Sequence, residues 1–150
     1  MPGSSWVVFD TNVYVAALRE GYGGASFGRL EEAVPRTFLV SVVSAELLVG
    51  ARDEGGRRAV RELVHRFQRL ERVLVPSAAS WNDLGDVLAR IARQEAGLRS
   101  RIHRLWNDGL IAMSARQIGA TVITQNVRDF ELLRRYVRFE LEPAPGAPGT

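Results

Sequence analysis

Four acidic residues stand where a carboxylate can do chemistry. Asp10 ends the apolar run Trp6-Val7-Val8-Phe9, Glu46 is the only charge in Val42–Val49, Asp108 lies between Asn107 and Gly109, and Asp129 precedes Phe130. Taken singly, each has a plainer reading. Asp10 and Asp129 suit helix caps, Asp108 a turn or cap, Glu46 a solvent face, and Asn126 a turn. Taken together they say more, because converging carboxylates repel one another and hold protons more tightly unless a divalent cation neutralises them. All-oxygen ligands select hard ions, Mg²⁺ or Mn²⁺, over zinc. Such a site positions water and stabilises negative charge on a phosphodiester.

Composition narrows the choice. All 20 basic residues are Arg, so the 150-residue chain has no Lys, and it has no Cys. Absent Lys removes the P-loop lysine, Schiff-base chemistry and the kinase strand lysine. Absent Cys removes thiol nucleophiles, disulfides, thiolate zinc sites and iron–sulfur clusters. The two histidines, His65 and His103, are too few for a histidine metal cage. Carboxylates, hydroxyls and arginines remain.

The elements that must position the acids follow from apolar spacing. Strands are predicted at Trp6–Phe9, Thr37–Ser41, Val73–Val75, Thr121–Thr124 and, alternating and so an edge, Val137–Leu141. Helices are predicted from Asp10 or Thr11 to Leu18, Phe27 to Val34, Ser41 or Ser44 to Arg52, Arg58 to Leu70, Trp81 to Ala96, Asp108 to Ile118 and Asp129 to Arg135. Gly55-Gly56 is expected to break the chain between two of them, and Gly119 to end another. The alternation implies a three-layer α/β/α sandwich with a mainly parallel sheet of about five strands. One domain is expected over residues 1–142, with 143–150 a disordered Pro/Gly tail. No run is long and apolar enough to span a membrane and the amino end lacks signal-peptide order, so a cytoplasmic protein is expected. Ligands of parallel sheets gather at strand carboxyl ends, where Asp10-Thr11-Asn12, Ser41–Glu46 and Thr124–Asp129 fall.

Formal charge is +3, unevenly spread. Residues 51–72 hold seven Arg against four acids, and residues 90–104 hold five Arg against Glu95. Phosphate binding and a merely solvated, Arg-encoding surface both fit this pattern.

Val8-Phe9-Asp10-Thr11-Asn12-Val13, Ser44-Ala45-Glu46-Leu47, Asp108-Gly109-Leu110-Ile111-Ala112 with Ala115, and Val122-Ile123-Thr124-Gln125-Asn126-Val127-Arg128-Asp129-Phe130 resemble, in order, the motifs of the PIN domain. More narrowly they resemble VapC-type toxins of toxin–antitoxin pairs. The resemblance implies a Mg²⁺- or Mn²⁺-dependent endoribonuclease in which Asp10, Glu46 and Asp108 are the principal acids and metal ligands. Asn126 occupies a place where many relatives carry Asp, so either Asn126 or Asp129 serves as the fourth group. Thr124 matches the hydroxyl position of that motif, Thr11 or Asn12 orients Asp10, and Ser44 is a further supporting residue. Water would attack the phosphate in line, leaving a 5′-phosphate and a 3′-hydroxyl. The resemblance also implies a homodimer and a small cognate antitoxin. Arg90, Arg93, Arg99, Arg101 and Arg104 are the candidates for RNA contact.

Two other readings compete: a non-catalytic PIN-like module that binds RNA or protein, and a structure-specific DNA nuclease. The second usually needs added elements for which 150 residues leave little room. A phospho-receiver needs a lysine that is missing, and the glycines at 21–24 do not directly follow a strand as a dinucleotide-binding loop requires.

Overall fold

A computed structural model describes residues 5–21, 23–145 and 147. Five short strands, β1 (Val7–Phe9), β2 (Thr37–Val40), β3 (Val73–Leu74), β4 (Thr121–Thr124) and β5 (Glu140–Pro143), form one sheet in the order β3-β2-β1-β4-β5. Every pairing is parallel. Central β1 is buried on both faces, which is why its sequence is apolar without alternation.

The helices are α1 (Thr11–Glu20), α2 (Ala25–Ala33), α3 (Ser41–Gly50), α4 (Glu54–Arg69), α5 (Ala78–Gln94), α6 (Trp106–Ile118) and α7 (Val127–Arg134). Right-handed crossovers that step one way from β1 to β3 and the other way from β3 to β5 put α1–α4 on one face and α5–α7 on the other. The three-layer sandwich follows. The order reverses between β1 and β4, so the crevice lies beyond Phe9 and Thr124. Among the described residues no helix is long and apolar enough to cross a membrane.

Local chemistry sets the boundaries. Asp10 caps α1 through its side chain, and Gly119 ends α6 in the left-handed region at φ 66°. Gly55-Gly56 does not break the chain as expected. Asp53 accepts from the Gly56 N–H at 2.7 Å and draws both glycines into the first turn of α4. The basic face of α4 is partly structural: Arg66 donates to both carboxylate oxygens of Glu31 on α2, at 2.6 and 3.1 Å. The last strand begins later than expected and runs into the expected tail. Pro143 closes β5 opposite Thr124, tolerable at an edge because proline lacks only a donor. Ala144 is buried, and its N–H bonds to the Thr124 carbonyl at 2.7 Å. The tail assignment is therefore corrected at 143 and 144; Gly146 and residues 148–150 lie outside the described residues.

Candidate active site

Asp10 is the first residue beyond β1, and its N–H bonds to the Ile123 carbonyl of β4 at 2.9 Å. That pairing sets Asp10 beside Thr124, the buried last residue of β4. The Thr124 hydroxyl donates to Asp10 Oδ2 at 2.7 Å, Asn12 Nδ2 donates to the same oxygen at 3.1 Å, and the Thr11 N–H donates to Oδ1 at 2.7 Å. Asn12 also accepts from the Gln125 N–H at 3.3 Å, tying α1 to the β4–α7 turn. Asp10 is thus both a cap and a site residue.

Glu46 reaches the crevice from α3, where Thr11 Oγ1 donates to its Oε1 at 2.8 Å. Asp108 enters from the first turn of α6. Asn126 donates from one amide nitrogen to Asp108 Oδ2 at 3.2 Å and to Asp129 Oδ2 at 2.9 Å, while its own N–H bonds to Thr124 Oγ1 at 2.9 Å. Ser44 does not join them. Its hydroxyl turns back to the Ser41 carbonyl at 2.8 Å, a satisfied hydroxyl inside its own helix.

Electrostatics bind these groups together. The Asp108 carboxyl is pushed up to about 7, first by burial and then by the negative charges of Asp10, Asp129 and Glu46. Burial raises Asp10 as well, opposed chiefly by the Thr124 hydrogen bond. Among the described residues, none of the four acids makes an ion pair. Nor do any three acidic or histidine side chains there form a ready-made ion cage. Neutral donors hold the carboxylates apart: Thr124, Asn12 and Thr11 on one side, Asn126 on the other. The donor set fits a hard divalent cation, since it is all oxygen, mutually repelling and lacks a protein counter-charge. Asp10, Glu46 and Asp108 border an open cleft of about 440 Å³ that also takes in Arg19 of α1 and Gln125, while Asp129 lines the adjoining groove.

The five arginines expected on RNA divide. Arg101 and Arg104 line a larger groove that meets the acid cleft at Asn126. Arg93 and Arg99 line a separate hollow, and the Arg90 guanidinium lies 5.4 Å from the Tyr136 ring centre. Sequence reasoning missed Arg128 and Arg135 in the groove and Arg19 in the cleft. Arg128 had a readable signal, its place inside the Thr124–Asp129 motif. Arg19 and Arg135 had none.

A parallel sheet whose switch point gathers acids and hydroxyls defines an α/β protein with a carboxylate centre. The PIN domain family model matches residues 7–136, and the chain belongs to that family. Solved structures of similar fold include DNA-bound VapBC from Salmonella typhimurium, at 22% identity and TM-score 0.66 over 92% of this chain and 97% of that one. VapBC-1 from nontypeable Haemophilus influenzae is similar at 21% identity and TM-score 0.62, over 91% and 96%. FitAcB from Neisseria gonorrhoeae is similar at 19% identity and TM-score 0.59, over 90% and 95%. No curated protein sequence matches this chain.

Proposed function

We propose that this chain is a metal-dependent endoribonuclease of the VapC toxin type, hydrolysing RNA phosphodiesters. The observation that carries the reading is the convergence of mutually repelling acids, Asp10, Glu46 and Asp108 on one cleft with Asp129 tied to Asp108 through Asn126, and with no ion pair to any of the four among the described residues. Repulsion of that kind persists in a fold when an occupant of opposite charge offsets it. Asp10, Asp108 and Glu46 would hold the ion. A bound Mg²⁺ or Mn²⁺ would supply a polarised water and offset charge building on the phosphate.

The chain's own residues do the rest. Thr124 and Asn12 fix the Asp10 carboxylate, and Thr11 fixes Glu46. Asn126 stands in for an acid by orienting two of them, Asp108 and Asp129. Asp129 is the fourth acid in this arrangement and Asn126 its positioner. No histidine lines the acid cleft among the described residues, in keeping with hydrolysis by water rather than attack by the ribose 2′-hydroxyl. The likeness to VapBC and FitAB complexes supports an antitoxin as partner; the homodimer is carried over from the family resemblance alone.

Purified protein incubated with total RNA should cut it with Mn²⁺ and stop on chelation. Asp10→Asn and Asp108→Asn should abolish cutting while far-ultraviolet circular dichroism stays that of the parent. Cutting by either variant at the parent rate, or in chelator, would overturn the assignment. RNA binding with no metal-dependent cutting would favour a binding module.

A further inference from the structure

Resting on the ribonuclease reading, we propose that the groove beside the acids is a track for the RNA backbone on one side of the cut, contacted by Arg101, Arg104 and Arg128. The groove, about 770 Å³, lies between the 3-10 segment Ala96–Leu105 and α7. It opens into the acid cleft at Asn126, which borders both. Its apolar lining is Leu98, Leu105 and Leu132, against which ribose and base faces can lie.

The unusual secondary structure explains the placement. Three residues complete one 3-10 turn, so Leu98, Arg101 and Arg104 fall in a single row, where an α-helix would fan them around its axis. At about 2 Å of rise per residue, the two guanidinium stems are about 6 Å apart. That spacing is comparable to one step between successive phosphates of an extended strand.

Charge points the same way. Of the groove's three acids, Glu95 is paired with Arg135 at 2.9 Å and Glu131 with Arg134 at 3.3 Å, while Asp129, at the end that meets the acid cleft, accepts from Asn126 at 2.9 Å and belongs to the carboxylate cluster. Arg101, Arg104 and Arg128 are exposed and make no ion pair among the described residues. Guanidinium forks match phosphate oxygens in geometry and charge. Across the acid cleft, Arg19 is the one arginine in the lining among the described residues. The hold on the strand is therefore one-sided. An acidic peptide could satisfy three arginines, but a polynucleotide also delivers a phosphodiester to the carboxylates where the groove ends.

The test is fluorescence anisotropy of a labelled single-stranded oligoribonucleotide in chelator across a series of NaCl concentrations. Each of Arg101→Ala, Arg104→Ala and Arg128→Ala should lower the slope of log K against log[NaCl] by about 0.7 and weaken binding about fourfold at physiological salt. The triple variant should weaken it about 50-fold on the same basis. A triple Arg→Lys variant should recover the slope, because the charges return, and Arg93→Ala/Arg99→Ala should bind as the parent does. In Mn²⁺-dependent turnover, the triple Ala variant should raise KM and leave kcat near parent.

Parent-like affinity and slope in the triple Ala variant would overturn the track, as would equal weakening by Arg93→Ala/Arg99→Ala. Polyglutamate displacing RNA as well as unlabelled RNA does would instead make the groove an acidic-peptide site. If the parent cuts while the triple variant binds normally, the track falls and the ribonuclease reading stands. Arginine-dependent RNA binding by a parent that never cuts would support the groove and sink the ribonuclease reading.

Discussion

Gly109→Ala tests how Asp108 is held in place. Gly109 sits in the first turn of α6 against Leu84 of α5, which is fully buried. A Cβ at 109 would stand 3.2 Å from Leu84 Cγ, 2.9 Å from Cδ2 and nearer still to Cδ1. Carbon atoms pack at about 3.5–4.0 Å, so the start of α6 must retreat from α5 by about 1 Å and carry the adjacent Asp108 with it. Overpacking costs about 1–3 kcal/mol, and Ala over Gly inside a helix returns about 1 kcal/mol. A net loss of about 0–2 kcal/mol lowers Tm by only a few degrees, at about 2–4 °C per kcal/mol for a chain of this size. A displacement of about 1 Å in a reacting group can nonetheless cost about 100-fold in rate. Gly109→Ala should therefore stay folded and lose about two orders of magnitude of Mn²⁺-dependent cutting.

Leu84→Ala supplies the control. Alone it opens a cavity costing about 2–5 kcal/mol. Combined with Gly109→Ala it removes the colliding atoms, so the double variant should cut faster than Gly109→Ala alone. Its destabilisation should also fall short of the summed single effects by about 1–2 kcal/mol. Urea denaturation and initial cleavage rates on the four proteins measure both. Additive free energies, or a Gly109→Ala protein that cuts at the parent rate, would refute the reasoning.

Two further outcomes are expected. The folded pKa of Asp108 is raised from 3.8 to about 7, so its contribution to stability is fully present below about pH 4 and is lost as pH rises through 7. In chelator, Asp108→Asn should exceed the parent in Tm at pH 8, by on the order of 5 °C if solvent screening leaves roughly 2 kcal/mol of the shift, and converge with it at pH 4. Parallel Tm curves would contradict the burial and repulsion assigned to this group. Thr124→Val deletes the donor to Asp10 and the acceptor for the Asn126 N–H inside the core. It should lower stability by about 2–4 kcal/mol in urea denaturation, with most of that recovered in Thr124→Ser; equal loss in both would mean the methyl packing, not the hydroxyl, matters.

The sheet, and the acids that meet at its switch point, were legible because both depend on short-range pattern. Val7-Val8-Phe9 reads as a doubly buried strand, and Asp10 reads as the residue that ends it. Glu46 stood out as the lone charge in an apolar run and Asp10 as the end of one, while Asp108, between Asn107 and Gly109, stood out only through its place in the ordered motifs. What could not be read depends on distant register. That Thr124 bonds Asp10, 114 positions away, follows from how β1 pairs with β4. The amide of Asn126 looked like a lost acid and proves to bridge two acids. That the Ser44 hydroxyl turns back to the Ser41 carbonyl could not be read from its position in the motif. The arginines of 90–104 divided because α5 ends at Gln94 and a 3-10 segment begins at Ala96, a change of helical pitch with no plain marker in composition. Pro143 and Ala144 looked like tail by composition and were kept in the sheet by one edge pairing.

That edge pairing has a practical consequence. Ala144 hangs from the carbonyl of Thr124, the same residue whose hydroxyl steadies Asp10, so residues far apart in the chain are mechanically in series. A fusion partner or affinity tag joined just after this segment would pull on β4 directly behind Asp10. Fusions for display, purification or immobilisation are better separated from Ala144 by a flexible spacer, so that handling the protein does not retune it.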